Sequence, residues 1–224
     1  MSYAVKTMPR PRSLTRPQLA AAALVVIDRD GLAALSMRAV AKEVGVSTMA
    51  LYRYVDSRED LEALVVERVL AGMPTGPPPD GPWRERVAAL VERLRLAVTA
   101  HPETVPLAPV HRHRSITLLR WSETLLGVLA DAGFGGDARI VALRGVTAYI
   151  IGAIQLEHLG PLSGPGTDVI AALPPEEFPH MAAAGARARG ISSHEEFRRG
   201  LDLLLDGLDH RTAPRPDAPS PDVR

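Results

Sequence analysis

Two short helices with almost nothing between them constrain this chain more than any other feature, and they lie in residues 36–58, SMRAVAKEVGVSTMALYRYVDSR. Met37, Val40, Ala41 and Val44 recur at i, i+3, i+4 and i+7, which puts four apolar side chains on one face and leaves Arg38, Lys42 and Glu43 on the other. Ser36 precedes the stripe as its N-cap, since a hydroxyl there can accept from a backbone N–H that has no partner inside the helix. Gly45 ends the helix by supplying a backbone angle that side chains resist, and Ser47 caps a second helix directly afterwards. Helices joined so tightly cross steeply. Leu51 and Val55 then pack back on Ala41 and Val44, Val46 plugs the turn, and Thr48, Met49, Tyr52 and Arg53 face outward. That is a helix-turn-helix, the arrangement whose second helix offers its outer side chains to a major groove.

The neighbouring pattern is helical throughout. Thr15, with Pro17 two residues on, reads as a helix start, and Leu19, Ala23, Val26 and Ile27 give it an apolar stripe that ends near Asp30 and Gly31. Ser57 begins a fourth helix with Glu59 and Asp60 in its first turn, where the helix dipole favours acids. Its apolar residues, Leu61, Leu64, Val65, Val66, Val69 and Leu70, cover more than one face, so this helix is expected to bridge to whatever follows. Prolines in residues 73–82 are too dense for a helix to continue, and the domain boundary is placed there.

Beyond the boundary, Trp83, Val87, Leu90, Val91, Leu94 and Val98 repeat at helical spacing up to His101 and Pro102. A short proline-interrupted piece over 103–110, a helix over 116–132 and the glycine-rich 133–136 follow. Asp137 is expected to cap the most apolar helix, 138–159, which must be buried nearly all round. Arg139, Arg144, Gln155 and Glu157 interrupt it and argue against a membrane span. Gly145, Ala148 and Gly152 give it a stripe of small residues that lets another helix come close. Glycine and proline mark 160–175 as loop, and a modest helix is expected over 176–189. Ser193 and Glu196 form a capping box for a last helix whose stripe is Phe197, Leu201, Leu204, Leu205 and Leu208. No strand pattern of any length is present, so the chain reads as all-α. An N-terminal three-helix helix-turn-helix domain over 15–72 precedes a larger helical domain over 83–210 for ligand binding and dimerisation, with a basic flexible arm at 1–14 and a disordered tail at 211–224.

Composition narrows the function. The 224 residues carry no net formal charge, yet Lys6, Arg10, Arg12 and Arg16 all precede the first acid, Asp28, so the arm is basic within a neutral chain. The chain has no cysteine, which removes disulfides and thiolate metal sites and fits a reducing compartment. With no apolar N-terminal segment of the secretory type, a cytoplasmic location is expected. Motifs for a nucleophilic serine, a zinc protease or a nucleoside triphosphate loop are absent, so no catalytic residue is assigned and an enzyme is not expected. Residues 133–138 loosely match a dinucleotide pattern, GxGxxA, but they follow a helix rather than a strand and so read as a helix–helix loop. His111 and His113 would point apart on a helix and no third ligand stands at a useful spacing, so neither a metal nor a cofactor is expected.

The segments Leu35-Ser36-Met37-Arg38, Val44-Gly45-Val46, Leu51-Tyr52 and Val55-Asp56-Ser57-Arg58-Glu59-Asp60-Leu61 together resemble the DNA-binding domain of TetR-family transcriptional repressors, in the branch of the tetracycline repressor. A second patch, FRRGLDLLLDGL over 197–208, resembles the last helix of that branch's ligand-binding domain. The resemblance implies a homodimeric regulator, most simply a repressor, released from palindromic operator DNA by a small apolar effector. Within it Arg38 is suited to a bidentate bond with guanine, Thr48 and Met49 to a base edge or a thymine methyl, and Tyr52 and Arg58 to phosphates, with Ser47, Arg53 and Tyr54 completing the DNA-facing set. The branch often carries Lys in place of Arg58, and aromatic or His residues in place of Arg53 and Tyr54, so the base preference is not carried over. The expected ligand contacts are Trp83, His101, Trp121, Leu125 and Tyr149, with His101 in the region that lines the family's effector pocket. Dimerisation is expected through 138–159 and 197–208, each subunit giving two helices to a four-helix bundle. The alternative is a small-molecule binding or scavenging protein with a vestigial helix-turn-helix.

Overall fold

The computed structural model describes residues 14–212, and the side chains up to residue 209, so most of the expected basic arm and of the C-terminal tail lies outside the described residues. Every regular element described is helical, and the chain divides into two compact units between Val69 and Leu70.

The first unit is built on α1 (Arg16–Asp30). Thr15 caps it in a full capping box with Gln18, and Leu19, Ala23, Val26 and Ile27 are all completely buried, as their spacing predicts. A single helix can bury so much because α2 (Met37–Val44) and α4 (Arg58–Val69) both pack on it. Val40 and Ala41 from α2, Leu51 from α3 (Thr48–Leu51), then Val55, and finally Leu61 and Val65 from α4 close the core. Each buried Val or Leu side chain among them contributes about 1.5–3 kcal/mol on leaving water. A short 3-10 turn at Leu32–Ala34 links α1 to α2, and Arg29 on α1 pairs with Glu43 on α2 at 3.0 Å.

In the second unit α5 (Trp83–Thr99), α7 (Ile116–Asp131) and α8 (Gly136–Leu159) pack on one another, and α11 (Ser193–Thr212) lies along α8. Between α5 and α7 run a 3-10 turn at Pro102–Thr104 and the short α6 (Leu107–His111). Arg84 at the start of α5 reaches both Asp206 and, at 2.8 Å, Asp209 on α11, while Arg86 bonds Asp131 of α7 at 3.0 Å. Their charges hold three helix ends together.

Several boundaries differ from the sequence reading. Residues 160–175 are not all loop: Pro165 at the first helical position starts α9 (Pro165–Ala171), which packs against α10 (Pro179–Ala188). A Cβ on Gly185 would stand 2.7 Å from the backbone nitrogen of Ala171, so only glycine lets the two helices approach this closely. The cap of α8 is Gly135 rather than Asp137, and that of α11 is Ser192 rather than Ser193, its hydroxyl accepting from the Glu195 N–H at 3.3 Å. Thr212 still belongs to α11, so the helix runs past the expected start of the tail.

The largest difference concerns α8. Ala142, Val146, Ile150 and Ile154 form a buried stripe, yet Ile140, Val141, Leu156 and Leu159 are 56–80% exposed. The helix is long and apolar enough to cross a membrane by length and composition, with a mean hydropathy of 1.4, but only 22% of that window is covered. Among the described residues α5, α7 and α11 pack against α8 and leave these four side chains largely open.

Candidate nucleic-acid interface and ligand site

The helix-turn-helix is shaped by three local devices. The Ser36 hydroxyl accepts from the Ala39 N–H at 3.1 Å. Gly45 adopts φ 72°, ψ 32°, a left-handed conformation that lets its N–H and that of Val46 return to carbonyls of the α2 end, Lys42 and Ala41. Ser57 accepts from the Asp60 N–H at 3.2 Å while Asp60 accepts from the Asp56 N–H at 3.0 Å, which fixes the start of α4. Two expectations fail here. Val46 does not plug the turn and is exposed, because its backbone bond to Ala41 already holds the corner. Ser47 stands at the N-cap position of α3 but its side chain makes no capping bond.

Three of the four residues expected to face outward, Met49, Tyr52 and Arg53, are exposed, and Thr48 is not. Leu51 and Val55 are buried, whereas Met49 is 75% and Tyr52 46% exposed and Arg53 is also exposed. Thr48 and Tyr54 are half-buried. Regular α3 is a single turn, and Tyr52 continues its course at φ −62°, ψ −8°. Arg38 is exposed near the start of α2. Arg58 is different: its guanidinium bonds Glu62 at 2.8 Å, one turn along α4, so a phosphate would have to compete with a carboxylate for it.

In the second unit the five expected ligand contacts do not gather at one described pocket. Trp121 and Leu125 are core residues, and the Trp121 indole N–H donates to the Leu90 carbonyl at 2.9 Å. Trp83 is half-buried and packs edge-on against Phe134, with ring centroids 5.3 Å apart. His101 is half-buried just before the 3-10 turn. Tyr149 alone of the five lines a groove of about 320 Å³ between α8 and α11.

The walls of that groove are small or apolar, Ala148, Gly152, Ala153, Leu156 and Phe197, and Glu157 and Glu196 supply charge. Tyr149 donates its hydroxyl to the Phe197 carbonyl and stacks at a tilt on that ring, 5.4 Å between centroids. A Cβ on Gly200 would come within 2.5 Å of the Tyr149 oxygen, so a glycine is what admits this contact. Burial first, and the Glu196 charge second, push the Tyr149 phenol above its ordinary value. Arg95 of α5 is buried against this cluster, 3.6 Å from Glu157 and 5.1 Å over the Phe197 ring. Sequence reasoning passed over it, although a charged residue at i+4 from Val91 in the buried stripe of α5 was a visible signal.

Comparison with known proteins agrees with the division into two parts. Residues 19–63 match the family model for bacterial regulatory proteins of the tetR family, and residues 75–212 match that for the tetracyclin repressor-like C-terminal domain. An HTH-type transcriptional regulator of Saccharopolyspora erythraea is 30% identical over 87% of this chain and 84% of its own length. The transcriptional repressor DrrR1 of Streptomyces coeruleorubidus is 28% identical over 92% of this chain and 81% of its own. Among solved structures, that of the Streptomyces coelicolor TetR family protein ActR in complex with actinorhodin superposes with a TM-score of 0.79. It covers 92% of this chain and 100% of that one at 23% identity, a likeness of fold.

Proposed function

We propose that this chain, which belongs to the TetR family of bacterial transcriptional regulators, is a repressor that binds a palindromic operator as a homodimer and leaves it when a small molecule binds. The observation that carries the reading is the exposed side of α3, where Met49 and Tyr52 face solvent while Leu51 and Val55 hold the element to its core. A large apolar residue and a phenol left outside a well-packed unit are suited to base edges and phosphates. Repression is supported by the likeness to DrrR1.

Homodimerisation is supported by the open side of α8, whose Ile140, Val141, Leu156 and Leu159 are more than half exposed among the described residues, and by Leu203 of α11, 74% exposed. A second copy packed there would complete a four-helix bundle. Effector binding is supported by the fold shared with ActR, a protein solved with actinorhodin bound. The effector would act by favouring a state in which the two recognition helices no longer fit successive major grooves. The test is sedimentation and duplex binding on the full chain. A dimer that binds one palindromic duplex in preference to random sequence supports the reading, and a monomer with equal affinity for all duplexes ends it.

A further inference from the structure

Where α8 meets α11, a side chain of one helix reaches the backbone of the other. The Tyr149 hydroxyl of α8 donates to the Phe197 carbonyl of α11 at 2.5 Å, and the Leu201 N–H bonds to the same phenol oxygen. In a regular α-helix the Leu201 N–H returns to the Phe197 carbonyl four residues back. The phenol therefore stands at both ends of one rung of the α11 ladder, and a side chain inserted there is one of the few things that bend a helix.

Gly200 makes room for it. A Cβ there would lie 2.5 Å from the phenol oxygen and 3.0 and 3.1 Å from two ring carbons of Tyr149. Glycine in a helix interior is less favourable than alanine, so α11 gives up intrinsic stability at the point where the phenol enters. The residue that offers the carbonyl is held as well. Phe197 is buried, and the Arg95 guanidinium of α5 lies 5.1 Å over its ring. Farther along, Arg84 at the start of α5 reaches Asp206 and Asp209 of α11. The helix is thus tied at 197–201 and again at 206–209, and between the ties stands the exposed Leu203. Two ties on one helix fix its rotation about its own axis.

We propose that Tyr149 is a positioning residue for subunit association: by entering the α11 backbone opposite Gly200 it fixes the rotation that turns Leu203 to solvent, where a second copy meets it. The proposal rests on the homodimer reading above. Without the phenol oxygen, Leu201 and Leu205 still hold α11 to the core, because both are buried. The helix is then free to roll by part of a turn. A second copy meets Leu203 in a range of positions, and fixing one of them costs entropy on association.

Tyr149→Phe keeps the ring and removes both bonds, whereas Gly200→Ala keeps the hydroxyl and expels it. Each variant is expected to raise the dimer dissociation constant of the full chain about tenfold in sedimentation equilibrium, and to speed amide exchange at Leu201 measured by NMR. The double variant should show the same factor and not about a hundredfold, because either change alone removes the one interaction. Val87→Ala, at a fully buried position of α5, is the control. It should lower stability to denaturant while the dimer constant and Leu201 exchange stay near those of the parent. An unchanged dimer constant in Tyr149→Phe overturns the proposal, as does a multiplicative double variant or an equal weakening by Val87→Ala. A parent that sediments as a monomer at every concentration refutes the homodimer reading instead. Unchanged Leu201 exchange in Tyr149→Phe refutes the tether separately, whatever the oligomeric state.

Discussion

Trp121 donates its indole N–H to the backbone carbonyl of Leu90 at 2.9 Å, so the largest side chain of α7 is fastened to α5 and is 1% exposed. A tryptophan in that position sets the distance between two helices of the second unit. Leu125, Val128 and Leu129 of α7 and Val87 and Val91 of α5 are buried as well.

Trp121→Ala is accordingly expected to destabilise the second unit by about 3–5 kcal/mol, the range for removing a buried aromatic and leaving a cavity. Trp83→Ala removes a half-buried ring that touches Phe134 by its edge and should cost distinctly less. Chemical denaturation of both variants checks the order, and equal losses would show that Trp121 does not hold the seam.

Arg38 and Arg58 should behave differently on DNA. Arg38→Ala is expected to weaken binding to the preferred duplex by about 1–3 kcal/mol and to relax one base pair per half-site. Arg58 already pairs with Glu62, one turn along α4, and Arg58→Ala should weaken all duplexes about equally. Titration of each variant against the preferred and a scrambled duplex separates the two roles.

Gly152→Leu and Leu203→Arg probe the second copy. Gly152 lines the groove between α8 and α11, where a Cβ meets no atom within 4 Å, and Leu203 is 74% exposed, so the Leu203 change leaves the single chain's packing intact. Both should convert a dimer to monomer in sedimentation velocity, the first by steric clash and the second by setting an unpaired charge in an apolar seam. A dimer unchanged in both variants places the interface elsewhere.

The Tyr149 phenol gives a pH signature. Its folded value is raised by burial and by Glu196, so the protonated form is favoured in the fold and the associated stability is present below the ordinary tyrosine value of about 10. That stability is lost as pH rises through the folded value. Tyr149→Phe should therefore lose less stability than the parent as pH rises above ~10, measured by denaturant titration at each pH.

Periodicity made the first unit legible because its core is local. Leu19, Ala23, Val26 and Ile27 sit one turn apart on one helix, and Ser36 and Gly45 act on residues within five positions of themselves. The elements that escaped depend on distant partners or on one atom. Pro165 starts α9 inside a stretch whose glycines read as loop, and α9 is sustained by α10 passing over Gly185. Ser193 reads as the cap by its spacing to Glu196, and only the backbone course brings the Ser192 hydroxyl to the Glu195 N–H instead. Trp121 and Tyr149 were both reasonable pocket residues by type. Which one faces a groove depends on how α7 and α8 are rotated against α5 and α11, a property of packing across more than a hundred residues of chain.

Repression as proposed requires the exposed side of α3 to read duplex DNA. Selection from a random duplex library, carried out with the parent chain and with Met49→Ala/Tyr52→Ala/Arg53→Ala, tests that most directly. None of the three side chains belongs to the buried core, so the variant should fold. The parent is predicted to enrich a two-fold symmetric sequence with half-sites about 34–36 Å apart, and the triple variant to enrich none. Enrichment of the same sequence by both, or of no sequence by the parent, would contradict the account.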